Sequence, residues 1–494
     1  MEAIDPTVSN ESALEGLESA AACFAELLYL LGMRGVLVDA VDCAIFTKGA
    51  RYGDGTCRAV LRPESHQQVV EIVRICVQYK QALILQGANT GLVAASTPDH
   101  SHRFMILNLG RLNQHIEIDL VNRSVVVDAG VHLQELNEKL EEHGLFFPID
   151  LSANPSIGGM IAANTGGAKL IKYGDVRQNL LGLRAVLIDP VASVLDLQNA
   201  LRKNNTGLDL KQLFVGTSGA FGIITRAVLQ VHYLPKQTVT ALVVPHDQSA
   251  VLELLQVLER DCHGYLPAFE GISGSAFQAV LHHIPGIQNP FGASNCPDYC
   301  VLVELSGGAL TSANVDLQDV LMNSLEGLYG EVVVNAVLGK GNELWRIRHS
   351  ISEALRHEGQ LIAFDIAMPR SSLVAFRTEA LALVADKFPW MRVMDFGHWA
   401  DGGCHFNLVW PRTNAPAYDA DLVYTLRCAI YDLVVWRHHG SFSAEHGIGP
   451  YNIDFYQRYV SEQARLLSGQ IQAQFDPGRL LGLTWFGYDL SHHR

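Results

Sequence analysis

The chain is short of paired cysteines, of basic charge and of long apolar runs, and each shortage removes a class of protein. Its 494 residues hold nine Cys, scattered singly, with Cys296 and Cys300 the nearest neighbours and no CxxC anywhere. An odd count without a framework predicts reduced thiols that serve as small buried hydrophobes. Lys and Arg number 36 against 51 Asp and Glu, a formal net charge of −15. This excludes a nucleic-acid-coating protein and argues against an anionic membrane surface as partner. No charge-free apolar stretch reaches the ~18 residues of a membrane span. Ahead of Arg34 there is no basic side chain, while Glu2, Asp5, Glu11, Glu15, Glu18 and Glu26 are all acidic. That is the reverse of a targeting peptide, so a cytoplasmic location is expected.

What is present is a hydrophobic fraction of 48% over a length that predicts several domains. Residues from about 12 to 33 suit an acidic helix. Ser65 with Gln68 forms a capping-box signal, and Val69, Val70, Val73 and Val77 follow at helical spacing. Cys57–Leu61, Ala82–Leu85, Phe104–Leu107 and Ser124–Val127 are strand-like, and a helix with Leu133, Leu136 and Leu140 on one stripe ends at Gly144. After Pro235 the glycine-rich loops thin out and strand and helix patterns restart, with a strand at Tyr299–Leu305, a helix near Leu317–Tyr329 and a strand at Val332–Val337. The division expected is a helical extension over 1–44, a first domain over 45–235, a second over 236–385 and a helix-rich C-terminal part over 386–494.

Three loops in the first domain combine glycine with hydroxyl and amide side chains: QGANTGLVAAS (86–96), NPSIGGMIAANTGG (154–167) and VGTSGAFGIIT (215–225). None is a P-loop or a GxGxxG fingerprint. Glycine lets backbone N–H groups approach a ligand, with Asn89, Thr90 and Ser96 as added donors; a sharp turn explains the first loop equally well. Three such loops in one unit carry a large entropic cost, which an extended ligand touching the backbone at several places would explain.

Two polar clusters lie near the C-terminus, GHWADGGCHFN (397–407) and GSFSAEHGIG (440–449). On one straight strand His398 and His405 would point to opposite faces, but an Asp401-Gly402 turn permits a hairpin on which they converge. With Glu445 they make a two-His, one-carboxylate set with an open position, suited to a Lewis-acid metal such as zinc. The chain has 20 His, most of which must be ordinary surface or hydrogen-bonded residues, so spacing alone leaves both readings open.

The ordered series QGANTGLVAAS, FPIDLSANPSIGGMIAANTGGAKLIKYGDVRQNLLGLRAVL, VGTSGAFGIIT and GSFSAEHGIG resembles the FAD-binding oxidoreductases of the vanillyl-alcohol oxidase and p-cresol methylhydroxylase type, and within them the D-2-hydroxyacid dehydrogenase branch (D-lactate, glycolate and D-2-hydroxyglutarate dehydrogenases). The resemblance implies an α+β chain: a two-subdomain FAD-binding domain, an α/β substrate (cap) domain and a helical C-terminal part. It implies that Gly87, Asn89, Thr90, Gly91, Leu92 and Ser96 meet the FAD pyrophosphate, that Pro155, Ser156, Gly158, Gly159 and Asn164 line a second flank, and that Gly222 and Ile224 hold the far side. Non-covalent FAD is expected, since no His is placed for a covalent link.

The same resemblance makes His398, His405 and Glu445 ligands of a divalent metal, with zinc the one expected, and His446 the general base. Arg348 becomes the substrate-carboxylate cation, with Ser352 a helical turn on and Asn407 shaping the pocket. The reaction implied is oxidation of a small 2-hydroxy acid to the 2-oxo acid, with electrons leaving to an electron-transfer flavoprotein or a quinone rather than NAD. A homodimer is compatible with it, and no nucleic-acid partner is expected.

The chain departs from the branch at four places. Ala400, Asp401, Gly402 and Gly403 stand where the branch has a Gly-Asp-Gly-Asn loop. Ala363 stands where D-2-hydroxyglutarate members carry a lysine, which removes a second cation at that position and makes a dicarboxylate substrate less expected. Asn452 replaces a lysine, and Asp476, Pro477, Gly478 and Arg479 replace the usual tail. Two alternatives follow: an oxidase using O₂ on another alcohol or amine, and a drifted flavin-binding subunit kept for assembly.

Overall fold

The computed structural model describes residues 6–292, 295–308 and 315–487, with side chains from residue 18 onward. The first helix runs Pro6–Gly35 and breaks at Gly32, whose φ of 66° leaves the helical region. It packs on the helix His66–Gln78, which Ser65 caps by accepting the Gln68 N–H. The face this second helix buries is Val69, Val70, Ile72, Val73 and Cys76, so Val77 sits at its rim. Beneath lies a four-stranded sheet in the order Val36–Leu37, Val60–Leu61, Phe104–Asn108, Ala82–Gln86. The strand expected from Cys57 shrinks to Val60–Leu61, because the preceding residues are spent on bonds to the 99–104 segment. The exposed edge of Ala82–Gln86 is covered from far away: Leu83 donates to the Leu480 carbonyl at 2.7 Å and accepts from Gly482 at 2.8 Å.

A second, wholly antiparallel sheet of five strands orders Ile116–Asp119, Ser124–Asp128, Ile223–Gln230, Leu180–Val186 and Val194–Asp196. The helix Leu133–Glu141 buries Leu133, Leu136 and Leu140, and Gly144 ends the segment in the left-handed region at φ 67°.

The third sheet has seven strands, in the order Val333–Gly339, Gln237–Pro245, Tyr299–Gly307, Ala268–Ser273, Phe396–His398, Gly403–His405 and Asp365–Ala367. One of its faces belongs to the largest apolar core, and the other carries a second core against the helices Gly274–His283 and Gly341–Glu358. The boundary expected at 386 cuts through this sheet and is corrected: Phe396–His398 pairs with Ala268–Ser273, so the 396–405 hairpin is an integral part of the second domain. Beyond it, the helix Glu462–Phe475 returns to the first domain, with Phe475 against Phe214 and Phe221. Among the described residues no helix is long and apolar enough to cross a membrane.

Candidate active site

One long cleft, open to solvent, runs between the first two sheets and the seven-stranded sheet, lined along its length by all three glycine loops and by the polar clusters near the C-terminus. At one end are the glycine loops. Gly87, Thr90, Leu92, Pro155, Gly159 and Ile224 all face the cleft. A Cβ at Gly87 would collide with the Ser156 hydroxyl, so the first two loops touch there. Gly158 is tight for a different reason, since its Cβ would lie 2.8 Å from that of Ala129, the close packing of helix Ile157–Ala163 on the sheet. Gly91 is different again: a side chain there would meet little protein and would project into open space. Gly222 has φ 155° and abuts Phe214.

Three of the expected cofactor-site residues make structural hydrogen bonds. Ser96 donates its hydroxyl to Asn89 Oδ1 at 2.8 Å, and Asn89 Nδ2 donates to the Lys48 carbonyl at 2.8 Å, so both residues brace the loop while still lining the cleft. Asn164 is absent from the lining. It sits at φ 54°, ends helix Ile157–Ala163, and is held by Asp175 (3.0 Å) and the Arg177 N–H (3.0 Å). Its expected place on the second flank is corrected: it is the hinge of that loop, a position that favours Asn or Gly.

At the other end of the cleft, His398, His405, Glu445, His446, Arg348, Ser352 and Asn407 converge from three chain segments. The hairpin anticipated at Asp401-Gly402 forms, with Gly402 at φ 88° against the Met368 carbonyl, and the His398 and His405 rings lie 5.3 Å apart. The Gly403 N–H donates to Asp401 Oδ1 at 2.7 Å, and burial lifts that carboxyl to about 6. A Cβ at 403 would sit 2.8 Å from this oxygen, so Gly403 is an adaptation of the turn rather than a loss. Asn452 similarly staples the GSFSAEHGIG loop, accepting from Gly449 N–H and donating to the Gly447 carbonyl, each at 2.9 Å. Asp476 accepts the Leu480 and Leu481 N–H groups at 2.8 and 2.7 Å.

Two acids without an expected role organise this end. Glu270, fully buried, places Oε2 2.7 Å from Arg348 Nε and Oε1 2.6 Å from His398 Nδ1. Burial opposes its charge, but the imidazole and the guanidinium hold its carboxyl down at about 2. For His398, burial acts downward and is overcome by Glu270, which lifts the ring to about 9. Asp365 accepts the N–H groups of Glu445 (3.0 Å) and His446 (2.8 Å) and lies 3.5 Å from His446 Nδ1. His405 Nε2 is 3.5 Å from Glu445 Oε1, and Gly167 N–H reaches Glu445 Oε2 at 3.3 Å. Burial, with His398 and Arg348 nearby, pushes the His405 ring well below its ordinary value and keeps it neutral.

The ligand atoms that close to within 4.8 Å of one another are those of Asp365, His405, Glu445 and His446. His398 is outside this group, and its Nδ1 lies on Glu270. Neither acid shows a local signal in the sequence, since each acts on residues about eighty or more positions away.

Residues 57–222 match the model "FAD binding domain" and residues 234–482 match "FAD linked oxidases, C-terminal domain". The chain belongs to this family of FAD-linked oxidoreductases. Among its relatives is a protein of Arabidopsis thaliana named D-2-hydroxyglutarate dehydrogenase, mitochondrial, 32% identical over 432 residues that cover 86% of this chain and 74% of that one. The protein of the same name from Danio rerio is 33% identical over 437 residues, covering 86% and 78%. The expectation of a cytoplasmic location, drawn from the acidic N-terminal composition, is overturned by these mitochondrial relatives. In fold, the chain resembles p-cresol methylhydroxylase with substrate bound (TM-score 0.71, 16% identity, 96% of this chain and 98% of that one) and alkyldihydroxyacetonephosphate synthase (TM-score 0.70, 16% identity, 95% and 85%).

Proposed function

We propose that the chain is an FAD-dependent, metal-assisted dehydrogenase of a D-2-hydroxy acid, passing electrons to an electron-transfer flavoprotein or a quinone. The observation that carries this reading is one cleft in which glycine loops at one end meet Arg348, Glu270 and the His-carboxylate group at the other. The residues fit both absent groups: the loops present backbone and an open face at Gly91, and the His405–Glu445 pair offers neutral nitrogen and carboxylate oxygen to a cation.

Flavin, when bound, supplies the acceptor for the hydride from the substrate Cα. Arg348 grips the substrate carboxylate through the guanidinium nitrogens that Glu270 leaves free. A divalent cation held by His405 and Glu445, with the Nε2 of His398 as a third donor, would lend Lewis acidity to the substrate hydroxyl. His398 has the arrangement usual for a metal-binding imidazole, its other nitrogen bonded to a carboxylate. His446 takes the hydroxyl proton, oriented from behind by Asp365. Ser352 and Asn407 bound the same pocket. Because Gly403, Asn452 and Asp476 each make specific bonds, the departures from the branch give no support to a drifted assembly subunit.

An anaerobic screen of the flavin-loaded protein tests the proposal. Bleaching of the flavin by at least one D-2-hydroxy acid and not by its L-enantiomer is the expected result, and a flavin that no member of the panel reduces overturns it.

A further inference from the structure

Arg51 is a cation of the active-site cleft to which the chemistry above gives no task. It stands at the tip of a small hairpin closed by the Lys48–Asp54 bridge and by the Gly49 N–H to the Gly53 carbonyl at 2.9 Å. The hairpin is fixed in place: Tyr52 stacks on Tyr451 at 3.5 Å with the planes 9° apart, and Tyr451 N–H donates to the Val93 carbonyl. Tyr451 follows the loop of His446, so this stack ties the Arg51 hairpin to the catalytic loop and to the first glycine loop together.

From that tip Arg51 lines the same cleft as Arg348 and His405. Its Nε is shielded from solvent and has no hydrogen-bond partner, and among the described residues no carboxylate pairs with it. Arg348, by contrast, is bonded to Glu270, and Asp365, the acid nearest in influence to Arg51, is engaged by two backbone N–H groups. Burial lowers the Arg51 pKa from its ordinary value, the direction of a guanidinium held from water without a matching acid. A partly buried, unpaired guanidinium on a rigid mount is a costly arrangement unless an anion enters beside it. The Ala363 side chain is uncharged and small, and the cation nearest it, Arg427, is held by the Ala363 carbonyl at 3.1 Å and by the Tyr431 hydroxyl, outside the cleft lining.

We propose that Arg51 binds a second anionic group of the substrate and so selects 2-hydroxy acids that carry one at the end distant from the reacting carbon. The inference rests on the dehydrogenase reading above and goes beyond it by assigning the distal contact to the first domain. It reverses the expectation drawn from Ala363, because the second cation comes from another part of the chain. The shared chemistry is a carboxylate or a phosphate ester at the far end of a short chain.

The test is flavin reduction by flavin-loaded wild type, Arg51→Gln and Arg51→Lys, each with D-lactate, with a D-2-hydroxy dicarboxylate of four or five carbons, and with a phosphate ester of a 2-hydroxy acid. Loss of one charge-assisted contact predicts a KM raised about ten- to a hundredfold in Arg51→Gln for the dianionic arm that binds, with kcat little changed. D-lactate should be unaffected, and Arg51→Lys should recover part of the loss. Equal effects on monoanionic and dianionic substrates, or none on either, would overturn the proposal.

A second measurement works without turnover: perturbation of the flavin spectrum by 2-oxoglutarate against pyruvate. Preferential loss of 2-oxoglutarate affinity in either variant supports the role of Arg51, and unchanged preference removes it. Failure of every 2-hydroxy acid to reduce wild-type flavin would instead count against the dehydrogenase reading, leaving this titration to judge Arg51 alone.

Discussion

Glu270 joins Arg348 to His398, 2.7 Å from one and 2.6 Å from the other, within a strand that pairs directly with the 396–405 hairpin. The guanidinium and the imidazole to which the proposed function gives the substrate carboxylate and hydroxyl are therefore both set by a single buried acid.

Glu270→Gln should leave the fold in place while loosening both partners. A fall in kcat/KM of roughly ten- to a hundredfold is expected, the size typical for groups supporting a metal ligand. Steady-state kinetics, read beside the flavin absorbance and a melting curve, check it; an unchanged kcat/KM would mean that Glu270 serves stability alone.

Removal of metal should abolish turnover without releasing flavin. Dialysis against a chelator is expected to leave the visible spectrum intact and the flavin unreduced by substrate, with recovery on adding back zinc or manganese. His446→Ala should lower kcat by about 10²–10⁴, the range for loss of a positioned base, while metal content measured by elemental analysis is retained.

The glycine loops offer a test that separates folding from cofactor binding. Gly87→Ala forces a methyl group onto the Ser156 hydroxyl, so both thermal stability and flavin content should fall. Gly91→Val meets little protein and should melt near the wild-type temperature, yet be isolated with flavin much depleted. Equal flavin content in Gly91→Val and wild type would show that the pyrophosphate lies elsewhere.

Stability should fall on acidification for a reason remote from the site. Burial, reinforced by Arg123, Arg202 and Lys172, holds His232 down at about 4, and its Nε2 lies 2.9 Å from Asn179 Oδ1. The unfolded chain, with an ordinary imidazole near pH 6.5, takes up the proton first. This contribution is complete above about pH 6.5 and is lost progressively as pH drops toward 4. Urea midpoints measured from pH 7.5 to 4 should decline over that interval, and His232→Gln, which retains a donor for Asn179, should flatten the slope.

Much of the site can be read from local pattern because its motifs are compact. The three glycine loops, the Asp401-Gly402 hairpin and the GSFSAEHGIG loop each lie within some ten residues, where spacing speaks directly to geometry. Glu270, Asp365 and Arg51 escape such a reading because each acts across chain separations that leave no periodicity. Asn89, Ser96 and Asn164 show the converse: polar side chains in a glycine loop advertise ligand binding but are consumed in holding the loop's shape. The boundary at 386 fails because a sheet can recruit its next strand from any distance along the chain.

The bond between Leu83 and the 480–482 segment sets a timetable for the protein's birth. The edge of the first sheet lies beside the first glycine loop, and it is finished by residues made about four hundred positions later. A ribosome emerging with the whole FAD-binding sequence has therefore released a unit with one strand edge still bare. Covering of that edge waits for residues 480–482, so the first sheet is completed only after the second domain has been made.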